Sequence, residues 1–242
     1  MSIIIEPIPL FQDNYAWLLY DAKEKNAAII DPGAAQPIIA NLERRFLKLK
    51  TILITHFHND HIGGVEELQK YYSANVIGPL KEQARLPKLD MKVTDKEIVD
   101  LGFAQAEVLE TPGHTLGSVC YYFYNEKALF TGDTLFSLGC GRLFEGTAEQ
   151  MFNSLRRLSH LPETTLIYCG HEYTQSNGNF ALTLYPDNKA LQERMKIVNK
   201  LRNRNLPTIP VLLKEENETN PFILARNYME FADFRSRKDH FK

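Results

Sequence analysis

One short segment constrains this chain more than any other. Thr55-His56-Phe57-His58-Asn59-Asp60-His61-Ile62-Gly63-Gly64 places four potential metal ligands within six residues, straight after the apolar run Thr51 to Ile54. In an extended segment alternate side chains point the same way. His56 and His58 can therefore converge on one ion, and a turn can send Asp60 and His61 toward a second. The spacing differs from that of the helical zinc motif, which needs two histidines four apart with a glutamate between them; here the pair at that separation is His56 and Asp60. Gly63-Gly64 lets the chain turn tightly, where a Cβ would crowd it, before a helix over Val65 to Tyr72.

Three further segments repeat one arrangement: an apolar run, then Thr or Gly, then a possible ligand. They are Thr111-Pro112-Gly113-His114, Thr131-Gly132-Asp133 and Cys169-Gly170-His171. If each run is a strand, each ligand lies just past a strand's carboxyl end, where loops of a packed sheet gather into one site. Singly, each has a plainer reading, since Gly-Asp turns are common and a lone histidine is usually structural. Together they supply five histidines and two aspartates, enough to fill two coordination spheres. His160 and His240 stand outside this pattern and read as surface residues.

The first two-thirds of the chain is a succession of short apolar runs closed by turn residues. Tyr15 to Tyr20, Ala27 to Ile30, Thr51 to Ile54, Val119 to Tyr124, Ala128 to Phe130 and Thr165 to Tyr168 read as strands. Thr147 and Gln150 form a capping box for a helix whose stripe is Ala148, Met151, Phe152, Leu155 and Leu158, stopped by Pro162. Beyond about Tyr173 the strand signals thin, and Asp187 to Arg204 and Tyr228 to Lys242 read as helices. Charge changes at the same place. Residues 1–172 hold 16 basic and 22 acidic side chains and residues 173–242 hold 12 and 8, so the formal −2 of the whole is a cancellation of −6 and +4. No repeat or flexible linker separates the parts, so the second should pack directly on the first.

Composition excludes several classes. The longest hydrophobic stretches, such as Val119 to Tyr124, fall far short of the ~20 residues of a membrane-spanning helix. Met1 to Tyr15 carries Glu6 and Asp13 and has no basic start, so export is not indicated and a cytoplasmic location is expected. Cys120, Cys140 and Cys169 are odd in number and contain no Cys-x-x-Cys pair, which argues for buried, reduced thiols. The basic run Arg194, Lys196, Lys200, Arg202 and Arg204 could suggest nucleic acid, but it lies on a helix with an apolar stripe and reads as a solvated face.

The His-x-His-x-Asp-His motif with His114, Asp133 and His171 resembles the metallo-β-lactamase superfamily. Gly139-Cys140-Gly141-Arg142-Leu143-Phe144-Glu145-Gly146-Thr147, Gly170-His171-Glu172-Tyr173-Thr174 and Arg235-Ser236-Arg237-Lys238-Asp239 are similar to glyoxalase II, the hydroxyacylglutathione hydrolases. The likeness runs over essentially the full chain. It implies an α/β fold, a four-layer αββα sandwich over residues 1–172 carrying the metal-binding catalytic part, and a small C-terminal helical domain over 173–242 that binds glutathione. It further implies one metal on His56, His58 and His114, another on Asp60, His61 and His171, and Asp133 bridging them with a hydroxide that serves as nucleophile. No catalytic side chain is assigned. Zinc is the expected pair of ions, and iron or manganese would suit the same donors. Asp31, in Asp31-Pro32-Gly33, resembles an acidic turn that supports the ligand loop, though a plain turn reads equally well.

The activity implied is hydrolysis of S-D-lactoylglutathione, an S-(2-hydroxyacyl)glutathione, to D-lactate and glutathione, the second step of methylglyoxal detoxification. Arg142, Phe144, Tyr173, Arg235 and Lys238 match the family's glutathione contacts. Arg142 replaces a lysine and Phe144 a tyrosine found in many members, which keeps the charge and removes a hydroxyl. A monomer acting on a small molecule, with no nucleic-acid or membrane partner, is the accompanying expectation. The alternatives are a persulfide dioxygenase with a single iron, which would leave Asp60, His61 and His171 idle, another hydrolase of this fold such as a nuclease, or a non-catalytic binding module.

Overall fold

The computed structural model describes residues 3–241. Two six-stranded sheets stack face to face with a helical layer outside each. The first sheet runs in sequence order, β1 (Ile3–Leu10), β2 (Asn14–Asp21), β3 (Asn26–Ile30), β4 (Lys48–Leu53), β5 (Asn75–Pro79) and β6 (Met91–Val93). Its first three strands pair antiparallel and the rest parallel. The parallel crossovers carry α1 (Gln36–Arg45) between β3 and β4, then α2 (Asn59–Ile62) and α3 (Val65–Tyr72) between β4 and β5. The second sheet is built from β7 (Ile98–Asp100), β8 (Gln105–Glu110), β9 (Val119–Phe123), β10 (Ala128–Gly132), β13 (Leu166–Cys169) and β14 (Val211–Leu212), while β11 (Leu135–Phe136) and β12 (Gly139–Cys140) form a small hairpin.

Side-chain alternation explains why the strands read as unbroken apolar runs. Every residue of β2 is buried. Tyr15, Trp17 and Leu19 enter the core between the sheets, and Ala16, Leu18 and Tyr20 enter the core beneath α1 and α3. In β9, Val119, Tyr121 and Phe123 face the first sheet, whereas Cys120 and Tyr122 face α4 (Ala148–Ser159). A strand covered on both faces has no polar side to show. The αββα sandwich expected from the resemblance is thus present, and the capping box of Thr147 with Gln150 starts α4 as expected.

The C-terminal part comprises α5 (Thr174–Leu184), α6 (Lys189–Arg202), α7 (Leu213–Thr219), α8 (Pro221–Leu224) and α9 (Tyr228–Asp239). The expected final helix is α9; Lys242 lies outside the described residues. One short strand, β14, extends from this part and pairs with β13, so the helices are stitched to the second sheet by backbone hydrogen bonds. Among the described residues no helix is long and apolar enough to cross a membrane.

One expectation needs correction. Arg194 does not lie on a solvated face: it is 8% exposed and paired with Glu216, although Lys196, Lys200 and Arg204 are exposed. Its position at the edge of the apolar stripe turns it toward α7, and a partner 22 residues away left no local trace. The apolar runs of the sequence do not mark β1, β5, β6, β7, β8, β11, β12 or β14 as strands. β1 carries Pro7 and Pro9 at a sheet edge, where proline is tolerated, and β6 and β7 are three residues each.

Candidate metal centre and cleft

The ligand candidates sit where the sheet places them. His56 to His61 follow β4, His114 follows β8, Asp133 follows β10 and His171 follows β13, all at carboxyl ends of strands. His56 Nε2 and His114 Nε2 lie 3.1 and 2.9 Å from His58 Nδ1. Three ring nitrogens converging on one point suit a tetrahedral ion, whose ligands at about 2.0–2.1 Å stand roughly 3.3 Å apart. Asp60, His61 and His171 form a second such group. The Asp60 Oδ2 atom is 3.6 Å from His61 Nε2 and 3.4 Å from His171 Nε2. Asp133 stands between the groups, with Oδ1 at 3.3 Å from His61 Nε2 and 3.4 Å from His171 Nε2, and Oδ2 at 3.4 Å from His114 Nε2.

Fit to cations can be tested on the donors themselves. His61 Nε2 and Asp133 Oδ1 are buried and, although 3.3 Å apart, are not aligned for a hydrogen bond with each other and make none with any other described residue, a costly condition for polar atoms that a metal bond relieves. The other ring nitrogen of each Nε2 donor is engaged. His56 Nδ1 meets Thr55 Oγ1 at 3.0 Å, His61 Nδ1 meets Asp31 Oδ2 at 3.0 Å, His114 Nδ1 meets the Arg142 carbonyl at 2.8 Å and His171 Nδ1 meets Asp13 Oδ1 at 3.0 Å. Such partners fix the ring and leave Nε2 free to ligate. Asp31 is therefore more than a turn residue: its carboxylate also accepts from the Thr55 backbone N–H at 2.8 Å and hydroxyl at 2.6 Å.

Electrostatics agree. Burial lowers His56, His58 and His114 toward the neutral, ligating form. Burial works the same way on His61 and His171, but the neighbouring carboxylates together outweigh it, Asp133 with Asp31 at His61 and Asp133 with Asp60 at His171, and raise both, His171 to about 10. Asp133 itself, despite burial, is held well below the usual carboxylate range by His171 and His61. Anions that draw protons onto imidazoles at this point will draw divalent cations in their place.

The glycines of the motif serve close approach rather than unusual backbone angles. A Cβ on Gly63 would meet the Gly33 carbonyl oxygen at 2.5 Å, and one on Gly64 would meet the Ala34 carbonyl carbon at 2.6 Å.

His58, Asp60, His114, Asp133 and His171 line one cleft of ≈ 680 Å³ together with all five residues expected to hold substrate, and His56 and His61 are buried behind them. Phe144 is 62% exposed, its ring steeply inclined to those of His58 and His114 with centroids 5.4 and 5.2 Å away. Tyr173 stacks on His171, the rings 4.7 Å apart and nearly parallel. Lys238 Nζ donates to Ser176 Oγ at 3.0 Å. Arg235 is buried; its guanidinium donates to the Cys140 carbonyl at 2.9 Å and to Asp239 Oδ1 at 2.8 Å. Arg142 is largely exposed, with Nε 3.9 Å from the same Asp239 oxygen. His160 and His240 are exposed and apart from the cleft, and the three cysteines are free and buried.

Comparison with known proteins decides the family. The model of the metallo-beta-lactamase superfamily matches residues 11–171, and that of the hydroxyacylglutathione hydrolase C-terminus matches residues 172–241. A hydroxyacylglutathione hydrolase of Pelagibacter ubique is 47% identical over 98% of this chain and 99% of its own length. The chain belongs to the hydroxyacylglutathione hydrolases. A second member, from Methylococcus capsulatus, is 44% identical over 97% of both chains. Among solved structures, the BLEG-1 B3 metallo-beta-lactamase superposes with a TM-score of 0.72 at 27% identity, covering 91% of this chain and 99% of its own. ETHE1 from Myxococcus xanthus superposes with a TM-score of 0.73 at 26% identity, covering 96% and 90%. Like its relatives, this chain is a hydrolase.

Several cleft and support residues of this hydroxyacylglutathione hydrolase escaped the sequence reading. Phe136, Ser176, Asn177 and Asp239 line the cleft, and Asp13, in the β1–β2 turn, and Asn14, the first residue of β2, contact the ligand candidates His171 and Asp60. An Asp-Asn pair between two apolar runs is ordinary turn chemistry, so only the pairing of distant strands reveals its second contact.

Proposed function

We propose that this hydrolase cleaves the thioester of S-D-lactoylglutathione to D-lactate and glutathione, using two divalent ions, zinc foremost. His56, His58 and His114 would hold one ion, Asp60, His61 and His171 the other, and Asp133 both. The observation that supports this most is a single cleft lined by members of both donor groups, His58 and His114 from one and Asp60 and His171 from the other, together with the cations Arg142, Arg235 and Lys238. Bound divalent ions supply two things at such a centre, acidification of water to a pKa of about 7 and polarisation of a carbonyl oxygen.

The remaining work falls to the chain. Glutathione brings two carboxylates, and Arg142 and Lys238 are the cleft cations with donors to offer them. Arg235, engaged by Cys140 and Asp239, orders that cationic wall from within. Tyr173, held by its stack on His171, can present its hydroxyl to the tripeptide. Phe144 and Phe136 put apolar rings beside the histidines and limit water there. A departing thiol has a pKa of about 8.5, so it leaves nearly as the thiolate and needs no strong proton donor. Burial pushes the Cys140 and Cys169 thiols up to about 11 and about 12, which removes them as nucleophiles.

On this reading residues 1–172 are the metal-binding catalytic part and 173–242 the glutathione-binding part. One chain supplies every residue named, so a monomer suffices. Three free cysteines suit the reducing cytoplasm, where we place the enzyme. The test is to count metals in the purified protein by elemental analysis and to follow the thioester absorbance with lactoylglutathione before and after chelation. Two ions per chain, with activity abolished by chelation and restored by zinc, is the expected result. One iron per chain, with oxygen uptake on glutathione persulfide, would overturn it.

A further inference from the structure

The two donor groups are supported from different places. His56 and His114 are oriented from within their own surroundings, by the Thr55 hydroxyl and the Arg142 carbonyl, and His61 by Asp31 at the end of β3. Asp60 and His171 have neither resource. Asp60 lies on α2, a single turn of helix, and its side chain is 42% exposed. His171 lies past the last residue of β13, on a loop leaving the second sheet.

Both are gripped by one short turn. Between β1 and β2 the chain reverses over Phe11 to Asp13, with Phe11 at φ 51. Asn14 Nδ2 donates to Asp60 Oδ2 at 2.9 Å, and Asp13 Oδ1 lies 3.0 Å from His171 Nδ1. Two backbone hydrogen bonds fasten the turn to the same loop, Tyr15 N–H to the Gly170 carbonyl and Glu172 N–H to the Asp13 carbonyl, each at 2.8 Å. The turn thus joins the first sheet to a loop of the second directly beside the centre.

We propose that the β1–β2 turn is a dedicated support for the Asp60, His61 and His171 site, with Asp13 and Asn14 as positioning residues that set its affinity while leaving the His56, His58 and His114 site alone. Asp13 accepts the Nδ1 proton of His171 and so presents Nε2 as the lone-pair donor. A carboxylate in that role also strengthens the imidazole as a ligand. Asn14 holds the one ligand carboxylate that burial does not hold. Because the turn is fastened through the backbone, truncating either side chain leaves its course intact.

The inference rests on the two-ion reading above, and the experiment separates the two. Metal-free protein is titrated with zinc against a chromophoric chelator, giving two dissociation constants for the unaltered enzyme. Asp13→Ala should weaken one of them by about 10- to 100-fold and leave the other unchanged. Asp13→Asn, which keeps an acceptor for the Nδ1 proton, should retain more affinity than Asp13→Ala. In a His171→Ala background, where that site is already broken, adding Asp13→Ala should change nothing further. Thermal unfolding of the metal-free variants, matched to the metal-free parent, shows that the fold is intact. Equal weakening of both ions, or no weakening, overturns the role of the turn. A parent enzyme that binds only one ion overturns the two-ion reading instead.

Discussion

Gly170 has no side chain, and its place in the structure shows why. A Cβ there would stand 2.7 Å from His61 Cε1 and 2.8 Å from Asp133 Oδ1, inside the distance real Cβ contacts keep. Gly170→Ala should therefore displace His61 and Asp133, the carboxylate that stands between the two donor groups: metal content falls below that of the parent, with a stability loss of about 1–3 kcal/mol from overpacking. Elemental analysis after dialysis and a urea titration check the two parts separately. Lys238 yields a prediction in pH. Partial burial, then Arg235 and Arg142, lower its ammonium to about 8, so it is charged below that pH and neutral above it. kcat/KM for an anionic thioester should fall as pH rises through 8, and Lys238→Arg should remove that inflection. The seven ligand candidates were legible because His and Asp are rare in such density and their spacing carries meaning. Asp13 and Asn14 were not, since the atoms they meet lie 158 and 46 residues away.

At the level of elements, the hairpin β11–β12 leads into the loop bearing Arg142 and is held by a buried polar network from the C-terminal helices. Arg194 on α6 donates to Ser137 Oγ at 2.9 Å and to Thr219 Oγ1 at 2.6 Å, and pairs with Glu216 on α7. Glu216 Oε2 accepts from the Leu138 backbone N–H at 2.9 Å. Asn220 Nδ2 donates to the carbonyls of Phe136 and Gly139 at 3.1 and 3.0 Å. Removing one partner strands the other charge in the interior, so Arg194→Ala or Glu216→Ala should cost about 3–5 kcal/mol, read as a lower urea midpoint. Lys196→Ala, on the exposed side of the same helix, should stay within about 0.5 kcal/mol. The helix itself was readable from its stripe of Leu191, Met195 and Val198, all buried. Its charged residues could not be sorted into buried and solvated because periodicity says nothing about which neighbouring helix offers a carboxylate. For the same reason β2, β3, β9 and β10 were visible as dense apolar runs, while β8, with glutamates at Glu107 and Glu110, was hidden among its polar residues.

Across the whole molecule, the donor groups draw on both sheets. His56, His58, Asp60 and His61 come from loops of the first sheet, and His114, Asp133 and His171 from loops of the second. The division of charge, −6 before Tyr173 and +4 from it onward, follows the C-terminal helices rather than the sheets: all seven donors come from the first part, and two of the three cleft cations, Arg235 and Lys238, from the second. Ions bound between two sheets stabilise the folded state, which has the site, over the unfolded chain, which does not. With free metal at 100 times the dissociation constant a single site adds about 2.7 kcal/mol. For a chain of this size that corresponds to a rise of roughly 5–10 °C in Tm. Chelation should remove the increment and added zinc restore it. The effect must also depend on pH in a fixed direction. His171, raised to about 10, holds a proton at neutral pH in the absence of metal, so an ion must displace it, and each lowering of pH strengthens the competing proton. The zinc-dependent part of Tm should therefore shrink as pH falls from 8 to 6, measured as the difference between paired scans with and without metal. A difference constant over that range would mean that no ligand exchanges a proton for the ion.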